Sequence, residues 1–201
     1  TGGSGEEAIV SAAAAQMTNF YGLVSSVGAG MSDAKVPDNQ AGYEKALAVA
    51  LAALAGCNNV SESAGMMGSL MGLSLESLVI DNDMLGAVMR TVRGIEVNDE
   101  TLSYAEIENA VHGEGHFLRQ EQTLKLMRSE YEYPALADRL PPNVWEDAGS
   151  FSIREQAAIR VKEILSEHYP EYIDPAVDAK IREKFKIEVP REYMVAGNER
   201  W

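Results

Sequence analysis

The segment QAGYEKALAVALAALAG, residues 40–56, constrains the fold of this chain more than any other, because Glu44 and Lys45 are the only charges in a helix-length run of Ala, Leu and Val. Ala and Leu are strong helix formers, and a helix that is apolar nearly all round has no face for water, so it must be sandwiched between other elements. Asp38 or Asn39 supplies its start and Gly56 its stop. Short segments of strand character flank it, LVSSVGA at 23–29 and NNVSES at 58–63, both ending in small or polar residues. Strand, helix, strand is the rhythm of a parallel sheet, since a crossover helix returns the chain to the same edge. The expected class is therefore α/β.

In such folds the reacting groups sit where strands end, which singles out Ser25, Ser26, Ser61, Glu62 and Ser63 with the loops GAGMSDAK and AGMMGSLMG. An Ala-rich helix that opens on Glu6 and Glu7 and stops at Gly22 precedes them. After them, Leu75, Leu78, Leu85, Met89 and Val92 mark a helical period over residues 74–93. Asn82 falls on that stripe and Asp81 borders it, and both are expected to be hydrogen-bonded to a helix end or a loop rather than to a ligand. Beyond Gly94, Ser103 with Glu106 and Ser152 with Glu155 have capping-box spacing, and Asp174 followed by Pro175 opens a further helix. Pro134, Pro141 and Pro142 mark turns in a helical C-terminal half.

Lys and Arg number 17 against 31 Asp and Glu, for a net charge of -14, and no basic patch breaks the balance, so a nucleic-acid partner is not expected. A cationic ligand suits the sign. No apolar run reaches membrane-spanning length, and no membrane partner is expected. The lone Cys57 excludes an internal disulfide, fits a reducing, cytoplasmic compartment, and beside Gly56 reads as a small buried residue. TGGSGEEA offers neither an initiator Met nor a signal peptide, so the chain reads as a segment of something longer.

His112, Glu114 and His116 form H-x-E-x-H, but Gly113 and Gly115 make the stretch a loop, and no metal site is expected. His112 reads as the last turn of a helix. Glu96, Asp99 and Glu100 read as partners of Arg90 and Arg93 in a solvated turn. The GAG at 28–30 lacks the third glycine of a nucleotide-binding turn.

Three runs, DAKVPDNQAGYEKALAVALAALAGCNNV, SLESLVIDNDMLGAVMRTVRGIEVNDETL and GEGHFL, resemble the trimethylamine:corrinoid protein methyltransferase family, with the likeness covering residues 5–174 in order. The resemblance implies the C-terminal part of a TIM (β/α)8 barrel over residues 1–118 and a mainly helical C-terminal extension over 119–201. It implies transfer of a methyl group from a methylated amine to the Co(I) of a separate corrinoid protein, with no tightly bound cofactor of the chain's own. The expected partners are that corrinoid protein, a small methylated amine and further copies in a homo-oligomer. Taken alone, such a piece leaves parallel strand edges unpaired.

Trimethylamine enzymes of the family carry pyrrolysine in the strand-end region, where this chain has NNVSESAGMMGSL in ordinary residues, with 61–65 as the window. It is thus similar to the non-pyrrolysine branch, which includes a glycine betaine methyltransferase. A quaternary amine already carries a neutral leaving group and needs no general acid, so the protein's task is orientation and exclusion of water. Aromatic faces and a carboxylate hold such a cation. Ser61, Glu62, Tyr43, His116 and Phe117 are the expected substrate-binding residues, Tyr104 is a further aromatic candidate, and no catalytic residue is assigned. Backbone N–H groups of residues 28–30 and 65–68 are the candidates for a substrate carboxylate. The alternative is a non-catalytic module that docks a corrinoid protein or binds an amine.

Overall fold

A computed structural model describes residues 2–169 and 172–194; residues 170, 171 and 195–201 of the expected extension lie outside the described residues. The order is α1 (Gly5–Phe20), β1 (Ser26–Gly28), α2 (Asn39–Leu54), β2 (Asn59–Ser61), β3 (Met66–Met67), β4 (Gly72–Leu73), α3 (Leu75–Arg93), α4 (Tyr104–His112), α5 (Glu121–Ser129), α6 (Pro142–Asp147), α7 (Ile153–Glu167) and α8 (Pro175–Lys184). The described chain is mainly helical, with two short sheets. None of its described helices is long and apolar enough to cross a membrane.

The parallel unit forms as expected: β1 pairs with β2 across α2, with Val27 opposite Val60 and Gly28 opposite Ser61. Ser25 fixes this register at the start of β1. Its N–H donates to Asn58 Oδ1 (2.9 Å), its hydroxyl accepts from Asn58 N–H (3.0 Å), and its carbonyl accepts from Asn59 N–H (3.1 Å). The paired strand is shorter than LVSSVGA, because Leu23 and Val24 stand exposed ahead of it.

Alanine makes the core possible. Ala8, Ala29, Ala48 and Ala52 are fully buried, with Val27, Leu51, Cys57 and Val60 packed against them, so α1 and α2 approach the strands closely. Cys57 is half-buried rather than buried, its thiol directed at the Asn59 carbonyl (3.1 Å). The sandwiched helix is α2, which packs on both α1 and α3. Its inward face is not the one the composition suggests. Tyr43, Leu47 and Leu54 are exposed, whereas Glu44 and Lys45, the run's two charges, are buried.

Residues 64–72, read as a loop, form an antiparallel hairpin in which Met66 pairs with Leu73 and Met67 with Gly72. Helix α3 starts at Ser74, whose hydroxyl accepts from Ser77 N–H (3.1 Å), and stops at Gly94, as its pattern requires. Its buried residues are Ser77, Asp81 and Val88, however, while Leu75, Leu78, Met89 and Val92 of the apolar stripe are more than a third exposed. Leu78 and Leu85 face Ile164 of α7 across a cavity of about 660 Å3, and Asn82 is exposed at its rim.

The caps divide. Ser152 and Glu155 form the full capping box of α7, and Asp174 caps α8. Ser103 does not cap α4: reciprocal Asn98–Thr101 bonds wind the preceding turn so tightly that Ser103 enters with φ +56 and its hydroxyl turns back to the Glu100 and Thr101 carbonyls. Arg90 and Arg93 do not pair with Glu96, Asp99 or Glu100. Both reach Glu130 at the end of α5 (3.1 and 3.0 Å), and Glu100 pairs with Lys125 instead. Helix-to-helix geometry outcompetes sequence proximity here.

Candidate functional site at the strand ends

Successive residues of a strand point to opposite faces. Val27 and Val60 point into the alanine core, so Ser26, Gly28, Asn59 and Ser61 occupy the other face. That face is small and polar: Asn59 Nδ2 donates to Ser26 Oγ (2.8 Å), and Ser61 Oγ donates to the Val27 carbonyl (3.3 Å). Glu62 closes its C-terminal end. It is the non-glycine residue directly after β2 that adopts φ +60, a conformation sparsely populated outside glycine and concentrated at functional sites. Its carboxylate lies over Gly28, with Oε2 3.1 Å from where a Cβ at that position would be. Among the described residues, the Glu62 carboxylate has no hydrogen-bond or ion-pair partner.

Two loops frame this end, residues 29–38 after β1 and 62–74 after β2. Helix α2 holds both with adjacent side chains. Glu44 Oε2 accepts from the fully buried Ser32 hydroxyl (2.7 Å) and from Asp33 N–H (2.9 Å), while its Oε1 accepts from Gln40 Nε2 (2.9 Å). Lys45 donates to Asp81 Oδ2 (2.6 Å), which also accepts from Gly65 N–H (2.7 Å) and Ser77 Oγ (3.0 Å). Lys45 is 1% exposed and Asp81 4%, so this pair is dry, and each charge is tolerated only because the other is present. The loops also bind each other: Gly68 N–H donates to the Ala34 carbonyl (3.0 Å) and Ser69 N–H to the Ser32 carbonyl (2.9 Å). Gly30, at φ +93, lets residue 63 approach the first loop. On the flank, Ser11 of α1 donates to the Gly28 carbonyl (3.2 Å). A cavity of about 470 Å3 opens beside it, lined by Glu6, Glu7, Met31, Ser69 and Leu70 among others, with no cationic side chain in its wall among the described residues.

Of the residues expected from sequence, Ser61 and Glu62 stand together at this end. Ser25 lies at the opposite, N-terminal end of β1. Tyr43 is exposed on the side of α2 away from the buried row of Ala41, Ala48 and Ala52. His116 and Phe117 are exposed in the loop between α4 and α5, where His116 Nε2 lies 3.3 Å from Glu114. Among the described residues no ring contact joins Tyr43, Tyr104 and Phe117, and no group of three metal-ligating side chains occurs. Three of the backbone donors expected for a substrate carboxylate are engaged: Ala29 N–H bonds the Ser61 carbonyl, Gly65 N–H bonds Asp81, and Gly68 N–H bonds the Ala34 carbonyl. Sequence reasoning missed Glu44, Lys45 and Ser32. The signal was present as an adjacent pair of charges inside an otherwise alanine-rich helix.

The described chain is mainly helical around one parallel β–α–β unit, as part of an α/β domain can be, and the small polar strand face of that unit ends in an acidic residue. The family model for trimethylamine methyltransferase (MTTB) matches residues 1–189, and the chain belongs to that family. It is 33% identical over 180 residues to a glycine betaine methyltransferase of Desulfitobacterium hafniense (strain Y51), covering 90% of this chain and 37% of that protein. It is 41% identical over 175 residues to the trimethylamine methyltransferase MttB of Methanosarcina thermophila, covering 86% of this chain and 35% of that protein. A trimethylamine methyltransferase MttB of Desulfitobacterium hafniense (strain DSM 10664 / DCB-2) is 32% identical over 194 residues, 96% of this chain and 38% of that protein. The chain thus spans little more than a third of the length of the curated relatives it matches.

Proposed function

We propose that the protein carrying this chain is a methyltransferase that moves a methyl group from a quaternary or tertiary methylamine such as glycine betaine to the Co(I) of a cognate corrinoid protein. On this reading residues 1–118 belong to the C-terminal part of a TIM barrel, and 119–201 are a helical extension. The observation that carries it is Glu62: a carboxylate without a partner among the described residues, on strained backbone, at the C-terminal end of a parallel strand whose exposed face bears only small groups. Such an end is where barrels bind their substrates.

The methyl leaves with the C–N electron pair staying on nitrogen, and the two electrons of the new cobalt–carbon bond come from Co(I), so a quaternary ammonium gives up its methyl and departs as a neutral tertiary amine nitrogen that needs no proton. The work left to this chain is to attract and orient the cation. Glu62 supplies the negative charge, Ser61 and the small face leave room for the methyl groups, and His116, Phe117 and Tyr43 are the remaining candidate contacts.

The test is methylation of a Co(I) corrinoid protein by the full-length protein across a panel of betaines and trimethylamine. Cobalt methylation is expected with a quaternary amine and not with trimethylamine, and Glu62→Gln should raise KM about tenfold or more. If the whole panel leaves the cobalt unmethylated while the protein still binds a corrinoid protein, the docking-module reading replaces this one. A His116→Ala variant with unchanged transfer removes His116 from the site.

A further inference from the structure

Two buried, oppositely charged residues lie outside the site, yet they hold its backbone. Asp81 Oδ2 accepts from Gly65 N–H at 2.7 Å, three residues past Glu62, and Lys45 Nζ fixes that oxygen from the other side at 2.6 Å. Ser77 Oγ adds the third bond to the same oxygen (3.0 Å), so its donors come from α2, from the strand-end loop and from α3. The loop needs such a hold because Glu62 sits at φ +60, a conformation that few non-glycine residues adopt.

We infer that Lys45 and Asp81 are positioning residues for the amine site: acting through the Gly65 N–H, they keep residues 62–65 in the conformation that sets the Glu62 carboxylate over Gly28. The inference rests on the methyltransferase reading for its substrate and on the geometry alone for its backbone half. Neither side chain touches the amine.

The experiment compares two double variants of the full-length protein, Lys45→Met/Asp81→Asn and Lys45→Met/Asp81→Leu. Both remove the buried charge pair, and replacing such a pair with neutral groups of similar volume is commonly tolerated. Only the first keeps an acceptor for the Gly65 N–H. Two readouts are taken: KM and kcat for the amine, and hydrogen exchange of the peptide that contains residues 62–67.

The asparagine pair should retain KM within about twofold and keep Gly65 protected, whereas the leucine pair should raise KM about tenfold or more, with the larger effect in KM than in kcat, and exchange faster. Equal KM values in the two variants, or a protected Gly65 in the leucine pair, overturn the inference. Should the unmodified protein methylate no cobalt with any amine, the functional reading fails by itself, and the exchange readout still decides whether Asp81 holds the loop.

Discussion

Gly30 gives the sharpest test of the strand-end packing, through replacement by alanine. A Cβ on Gly30 would lie 2.8 Å from Ser63 Cα, 2.9 Å from the Ser63 carbonyl oxygen and 2.8 Å from Val49 Cγ2. Ordinary contact begins at 3.4 Å, so the gap must open by about 0.6 Å against a backbone atom on one side and a stiff β-branched side chain on the other. Alanine at φ +93 costs roughly 1–2 kcal/mol in backbone strain, and the overpacking adds about 1–3 kcal/mol. The total, about 2–5 kcal/mol, should lower Tm by roughly 5–20 °C in a chain of this size.

Gly42 is the control. It lies in α2, exposed, and a Cβ there meets nothing within 4 Å. Gly42→Ala should therefore stabilise by about 0.5–1 kcal/mol through helix propensity. Thermal unfolding of both variants followed by circular dichroism measures the contrast. A Gly30→Ala protein that melts within a degree or two of the parent refutes the reasoning, as does a Gly42→Ala protein that loses as much stability as Gly30→Ala.

Two further outcomes follow from the same geometry. Glu44→Ala leaves the Ser32 hydroxyl and Asp33 N–H buried without their acceptor and should cost about 2–4 kcal/mol in urea unfolding, while Glu44→Gln, which keeps an acceptor, should cost less than half of that. Glu76 is held below the ordinary carboxyl value of 4.5 by its own backbone N–H and then by Ser74, and Glu155 by the Ser152 hydroxyl and then the Ser152 N–H. The unfolded carboxyls take up protons first as pH falls through 4.5, so these two groups stabilise the helix starts above that pH and lose their effect below it. Amide exchange at the first turns of α3 and α7 should therefore rise, relative to their centres, as pH drops from 5 to 3 after correction for intrinsic rates; unchanged protection would contradict the caps.

The elements that were legible in sequence are those specified by local chemistry. Ser152 and Asp174 announce helix starts because a cap involves residues two or three apart, and the β1–α2–β2 unit is legible because the alanine run and its small-residue flanks are each contiguous. What failed required knowledge of distant partners. The stripe on α3 marks which side is apolar, but Asp81 is buried because Lys45, 36 positions earlier, reaches it. Glu130 wins Arg90 and Arg93 from Glu96, Asp99 and Glu100 because the end of α5 comes back to the last turns of α3. Ser103 with Glu106 has correct spacing, and the Asn98–Thr101 turn overrides it. The place of Ser61 and Glu62 at the end of β2 was legible in NNVSES, whereas no local pattern says that Tyr43 faces away from the buried row of α2 or that Gly65 and Gly68 have spent their N–H groups.

The adjacency of Glu44 and Lys45 also settles where α2 can sit. Its apolar contacts are Ala48, Ala52 and their like against Ala8 and Ala29, smooth surfaces that would accept the helix nearly as well after a slide. A slip of one residue moves a helix by about 1.5 Å and turns it by about 100°. That slip would bring an ammonium against the donors of Ser32 and Asp33, or a carboxylate against Asp81. Like would face like at one loop while the other lost its charged partner, without water to relieve either. Alanine permits the close approach, and the two charges turn a sliding contact into an indexed one.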